Sequence, residues 1–90
     1  MLPFSYTSSF NRDLKRITKQ GVNMALLKKT ITSLVEQIPL DERYKDHPLK
    51  GNWAYHRECH IAPDWLLIYR YEADGIVFVR TGSHSELLDK

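Results

Sequence analysis

The residues best suited to chemistry lie in segment 57–65, which reads RECHIAPDW. It places His60 and Asp64 four residues apart, and an apolar run follows at once. Because Pro63 lacks a backbone donor and biases the preceding residue towards extended geometry, a helix through this segment is disfavoured. We therefore expect His60 and Asp64 to flank a turn between two strands.

Two more histidines and an arginine complete a hypothesis about this chemistry. Histidine titrates near neutral pH and can accept or donate a proton, and a strand-borne arginine can stabilise the charge of a phosphorane transition state. These types suit metal-free RNA cleavage, in which the 2′-hydroxyl attacks the adjacent phosphate and the leaving 5′-oxygen is protonated. We predict that five residues converge on one site: His47, His60, Asp64, Arg80 and His84.

A metal site is an alternative interpretation of some of the same residues. His56, His60 and Asp64 recur at four-residue intervals, which would align three ligands on one face of a helix. The proline between the last two disfavours that helix, and the single cysteine, Cys59, is isolated. We therefore expect no metal and no cofactor, and we interpret His56, which shares a strand face with Glu58, as structural or solvated.

Length and composition limit the class of protein. Ninety residues make one domain, residues 1–90, which is too small to enclose a deep cavity, so a shallow site for a polymer is expected. The net charge of +2 is too weak to indicate nucleic-acid binding by itself. One cysteine fits a reducing compartment, and no segment has the pattern of a secretory signal or a membrane span. We expect a cytoplasmic protein without membrane contact.

Hydrophobic periodicity predicts a strand and two helices in the first half of the chain. A strand over residues 3–7 precedes a helix whose N-cap lies at residues 8–9 and which ends before Gly21. A second helix begins after Asn23 as N-cap and ends at Pro39. The first helix carries a basic stripe on its polar face, formed by Arg12, Lys15, Arg16 and Lys19.

Three strands are predicted in the second half. They cover residues 53–61, 65–71 and 76–79, with Asp74 and Gly75 marking a tight turn before the last. The last strand is apolar on both faces, which indicates an interior position in the sheet. The element order predicts an α+β fold, with two N-terminal helices packed on a twisted, mainly antiparallel four-stranded sheet.

Three sequence blocks stand out by their order and spacing: YKDHPLKG at 44–51, RECHIAPDWLLIY at 57–69 and RTGSHSEL at 80–87. With the element order, they make the chain similar, over essentially its whole length, to the YafQ branch of the RelE/ParE toxin superfamily. Members of this family are bacterial type II toxins that cut messenger RNA in the ribosomal A site and are silenced by a cognate antitoxin. The resemblance therefore implies a RelE-like fold, a ribosome-dependent endoribonuclease, and an antitoxin, the ribosome and mRNA as partners.

The resemblance also implies roles for individual residues. It matches the family's catalytic histidines and aspartate to His47, His60, Asp64 and His84, and its strand arginine to Arg80. His84 is then the acid and either Asp64 or His60 the base, a division that residue types do not settle. The expected substrate contacts are Lys45, Lys50, Trp65 and Leu88, the last at a position where the branch often has an aromatic residue.

The cations of the chain suggest how the two partners are bound. The basic stripe of the first helix could meet ribosomal RNA phosphates, although a solvated helix face explains it equally well. An acidic antitoxin segment is expected to cover four cations, Lys45, Lys50, Arg57 and Arg80. Because Arg80 lies outside the apolar stripes, we expect Arg80→Ala to lose activity and remain folded.

Two other functions stay open at this point. A ParE-like toxin would inhibit DNA gyrase without cleaving anything, and a zinc-binding module would have a purely structural role. The full histidine set disfavours the gyrase inhibitor, because binding alone requires no proton transfer.

Overall fold

The computed structural model describes residues 1–88. Its helices and strands are β1 Phe4–Tyr6, α1 Ser8–Lys19, α2 Met24–Val35, β2 His47–Pro48, β3 Arg57–Ala62, β4 Trp65–Glu72, β5 Gly75–Gly82 and α3 His84–Leu87. Short 3-10 turns at Glu42–Tyr44 and Gly51–Trp53 flank β2. None of the helices in residues 1–88 is long and apolar enough to cross a membrane.

The strands form one sheet in the order β1-β5-β4-β3-β2. Only β1 pairs in parallel, with β5, and all the other pairs are antiparallel. This confirms the predicted α+β architecture and the interior position of β5. The sheet has five strands rather than the predicted four, because His47 and Pro48 pair with Glu58 and Arg57 at its edge. Two residues are too few to give a periodic signal in the sequence.

The helix boundaries differ from the predicted ones where a backbone conformation decides them. Thr7 rather than residues 8–9 caps α1, accepting a hydrogen bond from the Phe10 amide at 3.0 Å. Asn23 caps α2 as predicted, but α2 ends at Val35, before Gln37 adopts a positive φ of 62°. The chain therefore leaves the helix ahead of Pro39.

Strand β3 begins later than the apolar alternation predicted. Trp53 belongs to a 3-10 turn, and Tyr55 has a φ of 70° and is 94% exposed. A left-handed residue cannot continue an extended strand, so β3 starts only at Arg57. This turn brings the chain back so that the segment holding His47 can pair with β3.

Both faces of the sheet are covered, which leaves the site at one end of it. Leu67 and Tyr69 of β4 pack with the two long helices in the larger core cluster. Leu66 and Ile68 point to the other face and pack with Leu87 of α3 in a smaller cluster. Alternate residues of one strand thus belong to two cores, as the pleat requires.

Core packing predicts a large difference between two leucines of α2. Leu34 is 5% exposed in the main core, whereas Leu26 is 41% exposed. We expect Leu34→Ala to lower the free energy of unfolding by about 2–5 kcal/mol, because it removes a transfer term and leaves a cavity. Urea unfolding measures the change, and Leu26→Ala is the control on the same helix. Equal losses for the two variants would show that the buried face of α2 is wrongly assigned.

Candidate active site

Asp64 and His84 form a hydrogen-bonded pair. One oxygen of Asp64, Oδ1, accepts the backbone N–H of His84 at 3.1 Å and lies 2.9 Å from its Nδ1. These hydrogen bonds hold the pKa of Asp64 below its ordinary value. Because a carboxylate only accepts, we assign the ring proton of His84 to Nδ1. That leaves Nε2 of a neutral imidazole free to take a proton.

Local structure fixes where His84 stands. It is the first residue of α3, a four-residue helix that follows the N-cap Ser83. Ser83 Oγ accepts the Glu86 amide at 3.2 Å, and Glu86 Oε1 accepts the Ser83 amide at 2.9 Å, which is a capping box. The capping box and Asp64 together hold a helix too short to be stable alone.

Strand pairing brings His60 next to His84. His60 pairs with Leu66, and Leu66 pairs with Gly82, two residues before His84. The imidazole centroids are 5.4 Å apart with their planes at 65°. The predicted turn between His60 and Asp64 is therefore present, and it places both residues beside His84.

The carboxylate of Glu58 links His60 to His47. Its Oε2 lies 2.9 Å from His47 Nε2 and 3.6 Å from His60 Nε2. Glu58 is 5% exposed, and its Oε1 is buried without a hydrogen-bond partner in residues 1–88. Four of the five predicted residues, His47, His60, Asp64 and His84, thus form a continuous cluster, in which Glu58 joins His47 to His60.

Sequence reasoning missed Glu58 as a functional residue. The available signal was its alternation with His56 and His60 along one face of the predicted strand 53–61, which was interpreted only as a reason to discount His56. The structure separates these neighbours. His56 lies outside the cluster, near the Ala54 carbonyl oxygen and Arg70.

The fifth predicted residue, Arg80, is bound to a carboxylate on α1 rather than to a member of the cluster. Its Nε donates to Asp13 Oδ2 at 2.7 Å, and its Nη2 donates to Asp13 Oδ1 at 3.0 Å. Asp13 is 1% exposed and was not identified from the sequence. This contact argues against the expectation that Arg80→Ala leaves the fold intact, because losing one partner of a buried ion pair commonly costs about 3–5 kcal/mol.

Asp13 also binds two groups besides Arg80. It accepts Arg16 Nη1 at 2.7 Å and the Thr81 amide at 3.0 Å. Burial alone raises the pKa of Asp13, but the hydrogen bonds from Arg80, Arg16 and Thr81 outweigh it and hold the pKa below its ordinary value. The bond to Asp13 in turn raises the pKa of Arg80.

The basic stripe of α1 is therefore divided. Arg12, Lys15 and Lys19 are exposed. Arg16 is bound to Asp13, and its Nε lies 3.2 Å from Oε2 of Glu86 in α3. Its guanidinium serves contacts within the protein, so it is a poorer candidate for an RNA contact than its three neighbours.

The expected substrate residues also fall into two groups. Lys45 and Lys50 are exposed on the segment around β2. Trp65 is 8% exposed and donates its indole N–H to Thr81 Oγ1 at 2.9 Å, so its side chain belongs to the main core. Leu88 is half-buried against the smaller core cluster. Neither apolar residue offers an exposed stacking surface.

The model of a protein family, described as bacterial toxin of type II toxin–antitoxin system, YafQ, matches residues 2–89. The chain belongs to this family. The mRNA interferase toxin YafQ of Escherichia coli K12 is 40% identical over 83 residues, which are 91% of this chain and 90% of that protein.

Solved structures of YafQ-family and related toxins share the fold. The Escherichia coli DinJ-YafQ complex contains a chain that is 38% identical, with a TM-score of 0.88 over 97% of this chain and 98% of that chain. A metal-bound toxin from Helicobacter pylori is 44% identical, with a TM-score of 0.89 over 97% of this chain and 99% of that one.

This YafQ-family chain also has three side chains whose ligand atoms are close enough together to bind one metal ion. One ligand atom each from His47, Glu58 and His60 lies within 4.8 Å of the others. Two imidazole nitrogens and a carboxylate oxygen suit zinc or copper and leave positions open for a further ligand, and the unpartnered Oε1 of Glu58 adds a donor. These ligands differ from those of the metal site considered in the sequence analysis, which combined His60 with His56 and Asp64.

The buried carboxylate of Asp13 predicts a pH dependence of stability. The pKa of Asp13 in the folded protein lies below its unfolded value of about 3.9. Its contribution to the free energy of unfolding is therefore complete above about pH 3.9 and is lost as the pH falls through the folded pKa. The difference in unfolding free energy between wild type and Asp13→Asn should therefore be constant near neutral pH and shrink below about pH 4. Urea unfolding between neutral and acid pH measures it. Asp74→Asn, which changes an exposed turn carboxylate, is the control, and a difference that grows in acid would contradict the assignment.

Proposed function

We propose that this chain is the toxin of a type II toxin–antitoxin system and an mRNA interferase that cleaves ribosome-bound messenger RNA. Its Escherichia coli relative carries the name mRNA interferase, and the two proteins align over nine-tenths of each chain. The observation that carries the proposal is the convergence of His47, His60 and His84 on two carboxylates. Binding of a partner alone requires no such set of proton donors and acceptors.

His84 fits the general acid in this reaction. When it is doubly protonated, Nδ1–H donates to Asp64 and Nε2–H can protonate the leaving 5′-oxygen. The carboxylate of Asp64 stabilises that cation and fixes the ring orientation. Asp64 itself is a weaker candidate for the base than the sequence suggested, because its lowered pKa reduces its basicity.

The base is then best supplied by the pair of Glu58 and His60. His60 lies between Glu58 and His84, so it can receive the 2′-hydroxyl proton while His84 faces the leaving group. The carboxylate of Glu58 stabilises either histidine when that ring becomes charged.

The surroundings of the cluster suit a negatively charged strand. A cleft of about 560 Å³ runs from His60 past Lys45 and Arg43, with Tyr44 and Pro63 among its other lining residues. Phosphates and sugars of the RNA would be held by these cations, and Arg80 would stabilise charge at the scissile phosphate. On α1, the exposed Arg12, Lys15 and Lys19 remain the candidates for ribosomal RNA contacts.

The proposed reaction uses the side chains of this chain and requires no metal. His47, Glu58 and His60 would hold a metal ion if one were bound. Such an ion would supply Lewis-acid stabilisation of a phosphate oxygen. It would also occupy the single nitrogen lone pair of neutral His60 that the proposed base needs.

Primer extension on messenger RNA bound to purified ribosomes tests the proposal. The toxin is stripped of metal with EDTA and dialysed before it is added, so that the ribosomes keep their Mg²⁺. We expect stripped wild type to cut, and His84→Gln to cut roughly 100-fold more slowly or worse, because the general acid is lost. His56→Gln is the matched control, since this histidine lies outside the cluster, and it should cleave as wild type does.

Three outcomes would count against this account. Cleavage that is absent with the metal-stripped protein and returns when zinc is added would replace side-chain catalysis by metal catalysis. Wild-type rates in His84→Gln would remove His84 from the reaction. A wild-type protein that arrests growth through DNA gyrase without cutting RNA would favour the ParE-like alternative.

We also propose a cognate antitoxin as partner, as in the DinJ-YafQ complex of the Escherichia coli relative. Of the four cations expected to face it, Arg57 is paired with Asp46 at 3.2 Å and Arg80 with Asp13. Lys45 and Lys50 are exposed and make no ion pair within residues 1–88. An acidic antitoxin segment would therefore gain most from these two lysines.

The antitoxin proposal predicts salt-dependent association. In stopped-flow mixing with the product of the neighbouring gene, the association rate constant should fall as salt rises, because exposed charges are screened. Replacing both Lys45 and Lys50 by serine should lower the rate at low salt by about tenfold and flatten its salt dependence. Lys29→Ser, an exposed lysine on α2, is the control. A wild-type rate indifferent to salt would contradict electrostatic steering.

A further inference from the structure

Asp13 is a buried charged group that the proposed reaction does not use. Its two oxygens accept four hydrogen bonds, from Arg80 Nε and Nη2, Arg16 Nη1 and the Thr81 amide, at 2.7–3.0 Å. A carboxylate offers about four lone-pair positions, so Asp13 is fully satisfied. A charge buried to this extent is destabilising unless its geometry is maintained, which makes the arrangement of its partners specific.

The carboxylate of Asp13 binds only one edge of the Arg80 guanidinium. Nε and Nη2 donate to the carboxylate, whereas Nη1 makes no hydrogen bond within residues 1–88. The side chain of Arg80 is 28% exposed. The guanidinium is planar and its five N–H groups are fixed relative to each other. The two hydrogen bonds to Asp13 therefore determine where the remaining edge can meet an anion.

A second branch leads from Asp13 to the helix that carries His84. Arg16, held by Asp13, donates through Nη2 to the Thr81 carbonyl at 3.0 Å and to Glu86 Oε1 at 3.3 Å. Glu86 is the residue that closes the capping box at the start of α3. Asp13 therefore reaches Arg80 directly and α3 through Arg16 and Glu86.

The packing around this branch leaves little room for movement. A Cβ atom at Gly82 would lie 2.5 Å from Arg16 Nη2 and 2.8 Å from Glu86 Oε1. The backbone that joins Arg80 to His84 thus runs directly against the ion-pair network. A shift of the network would move the two side chains that the proposed reaction assigns to charge stabilisation and proton donation.

We propose that Asp13 is a positioning residue for catalysis. It orients the free edge of the Arg80 guanidinium towards the scissile phosphate, and through Arg16 and Glu86 it holds α3 in the position that presents His84. The proposal rests on the proposed function, in which Arg80 and His84 act on RNA. It assigns to α1 a role in that chemistry.

The test compares cleavage rates of Asp13→Asn with a control of matched stability. Asp13→Asn keeps the shape of the side chain but removes the charge and one of the two acceptors. At saturating protein on ribosome-bound RNA, and at a temperature where every variant is folded, we expect a rate loss on the order of 100-fold with little change in half-saturating concentration. Leu34→Ala destabilises the core without touching the network and should retain the wild-type rate.

A double-mutant cycle separates positioning from a general structural effect. Because Asp13 acts partly through Arg80 and partly through α3, the loss of rate in Asp13→Asn combined with Arg80→Ala should be clearly smaller than the product of the two single losses. If Asp13→Asn does not fold, Asp13→Glu replaces it. That variant retains the charge that Arg16 and Arg80 require but displaces the carboxylate, and the same rate loss is expected.

The possible results distinguish a failure of the Asp13 proposal from a failure of the proposed function. Wild-type cleavage together with a wild-type rate in Asp13→Asn or Asp13→Glu overturns this proposal and leaves the proposed function standing. Fully additive losses in the double variant also overturn it. A wild-type protein that does not cut ribosome-bound RNA overturns the proposed function and this proposal with it.

Discussion

The buried carboxylate of Asp13 is the constraint on which the arrangement of the chain's second half depends. It sits on α1, yet its partners belong to α1 itself and to β5, and one of them reaches α3. Because an unpaired charge in this position would be strongly destabilising, helix and strand must meet at one relative position. The fold thereby ties its first helix to the last strand and to the short helix that carries His84.

A second buried carboxylate, Glu58, organises the other side of the site. It stands between His47 and His60, while Asp13 stands beyond Arg80. Glu58 pairs with Ile68 and Ile68 with Arg80, so the backbones of Glu58 and Arg80 are two strand spacings, roughly 10 Å, apart. In the strand order, His47 on β2 and Arg80 on β5 lie on opposite sides of Glu58 on β3.

The small size of the chain explains why the site is built at a surface. Both sheet faces are occupied by cores, and α3 is only four residues long. His47 and His84 have side chains that are 47% and 44% exposed, so a polymer can approach without any part of the chain opening. Membership of the YafQ toxin family agrees with such a site, since its Escherichia coli member is named an mRNA interferase and messenger RNA is a polymer.

The sequence by itself determined the element types, the turn between His60 and Asp64 and four members of the cluster, because periodicity, proline and histidine chemistry are local properties. Only the tertiary structure decided the two-residue strand at His47, the burial of Trp65 and the pairing of Arg80 with Asp13. These features depend on strand register and on contacts between residues far apart in the chain, 67 positions for Arg80 and Asp13. Whether a charged side chain faces substrate or a buried partner is settled by what packs beside it.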